Sequence, residues 1–312
     1  MEHIPIMLDE ALHYLKVKKD GTYVDGTLGG GGHSEAILKR LSEGVLYAFD
    51  QDEEAIKRSR ERLKEYSDNL VIIKDNFVNM RSHLKEHGVD GVDGILLDLG
   101  VSSFHFDDET RGFTYRSDVE LDMRMDLSNP VDAKTILNTY EEKEIRRILF
   151  EYGEERFAPK IARTVVRRRE TKPFETTHEL VDAIKESLPQ KVLSKKGHPA
   201  KKTFQALRIA VNDELGVLER TLEEALALLN PDGRLVIITF HSLEDRLVKR
   251  AFKNASTIDH PIEIPTMPET TPDYQLLHKK VVTPSDDEIA RNHRSHSAKL
   301  RAIRKVPDFD EK

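Results

Sequence analysis

Cysteine is absent from the 312 residues, which excludes disulfides, zinc ribbons, iron–sulfur clusters and every thiolate nucleophile. Long apolar runs are absent too, and none approaches the roughly 18 residues that a membrane span needs. The opening Met1-Glu2-His3-Ile4-Pro5 has neither the basic stretch nor the apolar core of a signal peptide. The expectation is a cytoplasmic protein with no membrane contact. Hydrophobic residues make up 38% and charged residues 34%, the balance of a highly charged globular chain with room for one large or two smaller cores. Acidic charge is scarce in two places. Residues 156 to 208 hold 14 Lys and Arg against 5 Asp and Glu, so the net −7 of the whole chain puts −16 on the remainder. From Arg291 to Lys305 there are 6 basic residues and no acidic one. A basic face on an acidic body suits phosphate binding, although solvated helix faces explain either run alone equally well.

The first hundred residues alternate in rhythm. Tyr23–Leu28, Val45–Asp50, Leu70–Ile73 and Val92–Leu99 read as short buried strands. Ser34–Leu41, Asp52–Tyr66 and Phe77–His87 read as the helices between them, and Leu8, Ala11, Leu12 and Leu15 form an apolar helical stripe ahead. Such alternation predicts a parallel sheet covered by helices on both faces. From about Phe106 to Pro199 only helices and turns are expected, with capping boxes at Thr139/Glu142 and Thr176/Glu179. Arg156–Glu170 and His178–Leu188 supply amphipathic segments there. One long helix, Phe204–Leu229, is expected to stop at Asn230-Pro231-Asp232-Gly233. Then come a strand Arg234–Phe240, a helix Leu243–Phe252, a Pro-rich loop Ser256–Gln275, and strands His278–Val282 and Ala298–Val306. The predicted organisation is an α/β domain made of 1–107 and 208–312, interrupted by a helical, partly basic insertion at 108–207.

The first strand runs into Asp25-Gly26-Thr27-Leu28-Gly29-Gly30-Gly31-Gly32-His33. Glycines let the backbone turn tightly and lie against a ligand, and the following helix start offers unpaired N–H groups. No six-residue frame matches the dinucleotide pattern G-x-G-x-x-G. The loop fits acidic-x-G-x-G-x-G better, with Asp25, Gly29 and Gly31 in register and Thr27 in the first glycine slot, as in loops that hold S-adenosylmethionine. The second strand ends in Asp50, where a carboxylate can accept ribose hydroxyls. After the third strand, Phe77 stands where an adenine face would be lined.

The fourth strand ends at Asp98, followed by Leu99-Gly100-Val101-Ser102-Ser103-Phe104-His105. Ligands of an open parallel sheet sit at the carboxyl ends of its strands, so Asp25, Asp50 and Asp98 should share one crevice. Methyl transfer from a sulfonium needs alignment and an outlet for a proton. Asp98 is the candidate polar anchor for an amine, with no separate general base identifiable. Methylation at cytosine C5 generally needs a cysteine nucleophile, so an N- or O-acceptor is expected.

These strings resemble the bacterial 16S rRNA (cytosine-N4)-methyltransferase family, RsmH or MraW, nearly end to end. The matching segments include His3–Leu8, Asp25–His33, Leu97–Ser103, Arg111-Gly112-Phe113 and Leu121–Asp126. They continue through Gly153–Phe157, Gly197–Lys201, Phe204–Leu215, Thr239–Arg246 and Ser297–Arg301. The resemblance implies a class I, Rossmann-like S-adenosylmethionine-dependent methyltransferase domain with a helical insertion. The implied substrate is N4 of a cytidine in the decoding centre (P site) of 16S rRNA, within the small ribosomal subunit. It also implies cofactor contacts at Gly31, Gly32, His33, Asp50, Phe77, Asp98 and His105. Two departures stand out: Phe104-His105 replaces the usual Pro-Gln, and His296 stands where the family has arginine.

Lys201, Lys202 and Arg208, where the insertion rejoins the sheet, are candidates for RNA phosphates, as are Arg294, Lys299 and Arg301 in the late basic motif. His241, at the end of the fifth strand, faces the substrate or is a satisfied structural histidine. Arg111 and Arg124 bind RNA or brace the insertion. No metal ligand set is expected, and a homodimer stays open. Two rivals remain at this point: a nicotinamide-dependent oxidoreductase, and a ribosome-assembly factor that binds RNA without turnover.

Overall fold

A computed structural model describes residues 5–100, 109–195, 197–258 and 271–307. The chain divides into two compact units, 1–100 with 216–312, and 101–215.

In the first unit the strands are β1 (Thr22–Asp25), β2 (Val45–Asp50), β3 (Leu70–Lys74), β4 (Val92–Asp98), β5 (Leu229–Thr239), β6 (Tyr274–Leu276) and β7 (Lys299–Lys305). They form one sheet in the order β3-β2-β1-β4-β5-β7-β6. β1 to β5 pair in parallel, and β7 runs antiparallel to both β5 and β6. The sheet is Rossmann-like, with the order reversing at β1 and β4. Side chains alternate between its faces. Val24, Ile95, Leu97, Leu235 and Ile237 pack on one side with Met80, Leu84, Leu222 and Phe252. Tyr23, Leu46, Leu96, Val236 and Ile238 pack on the other with Ala11, Leu15, Ile37 and Ile56. Burial on both faces is why these strands read as unbroken apolar runs.

The covering helices are α1 (Leu8–Leu15), α2 (Gly32–Leu38), α3 (Glu53–Arg62) and α4 (Met80–Glu86). In the second unit lie α5 (Ala133–Thr139), α6 (Glu142–Glu151), α7 (Ala158–Arg169), α8 (Thr177–Ser187), α9 (Gln190–Leu193) and α10 (Lys201–Asn212). Their core gathers Ile145, Leu149, Ile161, Val165, Leu180, Ile184 and Leu207. Among its described residues there is no strand ladder, only the bridge Glu120–Thr176. α11 (Glu214–Ala227), α12 (Ser242–Ala255) and α13 (Asp286–Arg291) complete the set.

Four expectations need correction. The long helix Phe204–Leu229 is two helices, broken at Asp213, whose φ of 48° is left-handed; the apolar period runs through the break and hides it. The helix does end just before Asn230–Gly233, at Ala227, but the strand expected from Arg234 already begins at Leu229, so this segment lies within the sheet. It is a bulge within β5, where the register with β4 slips between Val92 and Gly94. The strand expected at His278–Val282 is instead Tyr274–Leu276, and Val282 keeps only a single bridge to Leu300. The Thr139/Glu142 box does not form: α6 starts after Glu141, and the Thr139 hydroxyl donates back to the Thr135 carbonyl at 2.6 Å.

Candidate active site

The parallel strands deliver their last residues to one edge of the sheet, and the acids found there have different surroundings. Asp25, at the end of β1, is buried. Its Oδ2 accepts from Ser34 Oγ at 2.7 Å and its Oδ1 from the Thr27 N–H at 3.0 Å. Burial foremost, with Asp50 adding, pushes its carboxyl up to about 6 against the pull of these hydrogen bonds. Asp25 therefore braces the glycine loop. Thr27 extends the brace, because its hydroxyl accepts the Asp98 N–H at 2.7 Å.

The loop itself is held by its backbone. Gly26 donates to Leu96 O at 2.9 Å and Leu28 to Phe49 O at 2.9 Å. Gly29 and Gly31 have φ of 49° and 75°, left-handed values that explain glycine at both. Gly31 directly precedes α2, and Gly32 and His33 open that helix. A Cβ on Gly26 would collide with Leu97 Cδ2 and come 3.0 Å from Phe77 Cβ, so the bare backbone there is a requirement of the site. Phe77 is half-buried, against the core face that carries Leu97.

Asp50 ends β2 and accepts the Gly29 N–H at 2.8 Å on Oδ2 and the Asp52 N–H at 2.9 Å on Oδ1. It thus ties the glycine loop to the start of α3, whose cap is Asp52. Asp98, at the end of β4, differs from both. Its Oδ2 lies 3.6 Å from His33 Nδ1, and its Oδ1 is buried with no hydrogen-bond partner among the described residues. Burial, then the charges of Asp25 and Glu244, raise its carboxyl well above the usual carboxylate range. His105 and the Ser102/Ser103 segment lie outside the described residues.

Several expected RNA contacts have partners inside the protein. His241 caps α12: its Nδ1 faces the Glu244 N–H at 3.5 Å and its Nε2 lies 3.0 Å from Glu244 Oε1. Glu244 Oε2 in turn accepts the Phe240 N–H at 2.8 Å. Arg301 Nε donates to Asp245 Oδ1 at 2.7 Å, and Lys299 Nζ to Asp245 Oδ2 at 3.2 Å. In the second unit Arg208 makes a two-pronged pair with Glu214, both contacts 2.8 Å. Lys202 Nζ donates to Glu154 O at 2.8 Å from an exposed position, and Lys201 is exposed, as is Arg294 in the first unit. Arg111 and Arg124 brace: Arg111 reaches the carbonyls of Arg124 and Met125, and Arg124 pairs with Asp122 at 2.7 Å. Asn212 closes the same knot through the Met125 N–H and the Met123 carbonyl, both 2.8 Å.

Sequence reasoning passed over Ser34, Glu244 and Asp245. Glu244 carried a signal, a glutamate three residues after a cap position, but the cap is a histidine and not Ser, Thr, Asp or Asn.

The model of the MraW methylase family matches residues 1–306. The chain belongs to that family. It is 52% identical over 311 residues to the ribosomal RNA small subunit methyltransferase H of Leuconostoc mesenteroides, covering 97% of this chain and 99% of the relative. The protein of the same description from Streptococcus dysgalactiae subsp. equisimilis is 49% identical over 308 residues, covering 97% and 98%. A solved structure, SMU.1697c of Streptococcus mutans in complex with SAH, aligns over 97% of this chain and 100% of its own at 13% identity and a TM-score of 0.44. With the family established, the sheet is that of a class I methyltransferase. No helix among the described residues is long and apolar enough to cross a membrane.

Proposed function

We propose that this protein transfers a methyl group from S-adenosylmethionine to the exocyclic N4 amine of a cytidine in 16S rRNA, in the decoding centre of the small ribosomal subunit. Rather than an oxidoreductase or a non-catalytic assembly factor, a methylase is what the family membership supports. The cytoplasm, where ribosomes are built, is the corresponding compartment.

The residues suit the cofactor. The left-handed glycines Gly29 and Gly31 shape a tight loop before α2 that suits the cofactor's amino-acid end, Asp50 is the candidate for the ribose hydroxyls, and Phe77 for the adenine face. When bound, S-adenosylmethionine supplies an electrophilic methyl group. The observation that carries the catalytic assignment is the buried Oδ1 of Asp98, which has no hydrogen-bond partner among the described residues. A buried acceptor without a partner is costly and calls for a ligand donor. An amine N–H is such a donor. Accepting it orients the N4 nitrogen, draws its lone pair out of the ring and provides a place for the proton that leaves. In the helical unit, Lys201 and Lys202 are the candidates for RNA phosphates, and their exposure supports that role.

The test is transfer of labelled methyl from S-adenosylmethionine to small subunits lacking the modification, with nuclease digestion and mass spectrometry of the product. Wild type should yield N4-methylcytidine at one site, and Asp98→Ala should lower kcat at least about 100-fold. Label at another atom, or none, overturns the reading.

A further inference from the structure

His33 is assigned by resemblance to the cofactor, yet its side chain turns to the protein. The residue is buried, and Nε2 lies 3.0 Å from the Ile6 carbonyl oxygen. A carbonyl only accepts, so Nε2 carries the ring proton and Nδ1 is the basic nitrogen. The acceptor is itself fixed. The next residue, Met7, gives its N–H to Glu288 Oε1 at 2.7 Å, and Pro5 packs so closely on Gly32 that a Cβ there would sit 2.8 Å from Pro5 Cγ. The basic nitrogen is thereby aimed at Asp98 Oδ2, 3.6 Å away, slightly beyond hydrogen-bond range. Catalytic contacts commonly tighten when a site fills.

Among the described residues, two further groups oppose the charge of Asp98: Asp25 from the end of β1 and Glu244 from the first turn of α12. A protonated Asp98 has an O–H where the substrate amine needs an acceptor. We infer that His33 is a positioning residue: it holds on Nδ1 the proton that Asp98 would otherwise take, so that Asp98 meets the amine as a carboxylate. The inference rests on the reading of Asp98 given above. The pair shares one proton at rest. The proton lost by the amine on methylation goes to Asp98 Oδ1 and leaves to water with the product, while the imidazolium keeps its own.

The decisive variant is His33→Gln, which keeps a donor for the Ile6 carbonyl and puts no basic nitrogen beside Asp98. The acid limb of its pH–kcat profile should move up by at least about one pH unit, lowering kcat about tenfold at pH values below the limb. Activity should recover as the pH is raised past the shifted limb, with affinity for S-adenosylhomocysteine within about threefold of wild type. An unshifted limb, or a loss confined to cofactor affinity, overturns the inference and returns His33 to the cofactor. Should the variant fail to fold, ¹⁵N spectra of the His33 ring in wild type and Asp98→Asn decide. At pH 7 wild type should show both nitrogens protonated and Asp98→Asn only Nε2; the same neutral ring in both overturns the inference. If wild type transfers no methyl at all, the functional reading fails, and the ring spectra still decide whether the pair shares a proton.

Discussion

Ser34 Oγ donates to Asp25 Oδ2 across 2.7 Å, joining the first turn of α2 to the end of β1 beneath the glycine loop. Burial drives the Asp25 carboxyl up to about 6 despite this bond. A carboxyl whose folded value lies above its unfolded one favours folding at low pH, and that contribution is lost as pH rises through the folded value. For Asp25 the window runs from about 4 to about 6. Stability should fall across it by about 1.4 kcal/mol per pH unit from this group, on the order of 2–3 kcal/mol in all. Urea unfolding of wild type and Asp25→Asn from pH 4 to 8 checks this. The variant should gain on wild type through the window, and parallel curves would contradict it.

Gly26 and Gly88 separate two reasons for glycine. At Gly26 an added methyl group meets Leu97 and Phe77, whereas at Gly88 it meets nothing within 4 Å but sits on a φ of +73°. Gly26→Ala should cost about 1–3 kcal/mol by overpacking and, by displacing Phe77, weaken S-adenosylhomocysteine binding about tenfold. Gly88→Ala should cost about 1–2 kcal/mol through left-handed strain alone and leave binding unchanged. Thermal unfolding with titration calorimetry measures both.

The strands and their acidic ends were legible because burial on both sheet faces writes apolar runs into the chain, and three of those runs, β1, β2 and β4, end in a carboxylate. Asp25, Asp50 and Asp98 were found that way. Their different states were not legible, because each depends on a partner distant in sequence: Ser34 for Asp25, Gly29 for Asp50 and His33 for Asp98. The break at Asp213 was invisible since one backbone angle changes while the apolar period does not. β6 was misplaced because three residues on an edge carry too little alternation to read. The basic motif was visible, but not Asp245, which takes up two of its cations from 54 and 56 residues away.

That last pairing yields a separation among the candidate RNA contacts. The Asp245 carboxyl is held low because Arg301 and Lys299 outweigh its burial, so Arg301 is committed to the fold. Arg301→Ala should cost about 1–3 kcal/mol of stability and leave the salt dependence of RNA affinity unchanged. Lys201→Ala and Lys202→Ala should be near neutral for stability, and each should reduce the slope of log affinity against log salt by about 0.7–0.9. Filter binding to small-subunit RNA over a salt series gives the slopes. A reduced slope for Arg301→Ala would show that substrate displaces Asp245.

Two threonines that look alike in sequence should behave differently. Thr176 forms a capping box at the start of α8, with Glu179 Oε2 accepting the Thr176 N–H at 3.1 Å. Thr139 instead lies at the end of α5 and bonds back to the Thr135 carbonyl, a use of the hydroxyl that does not help a helix. Thr176→Ala should therefore cost about 1 kcal/mol, and Thr139→Ala should stay within about 0.5 kcal/mol of wild type. Chemical denaturation of the full chain resolves that difference. Equal losses would mean that α6 is capped by Thr139 in solution, and that the helical unit starts that helix two residues earlier than Glu141 allows.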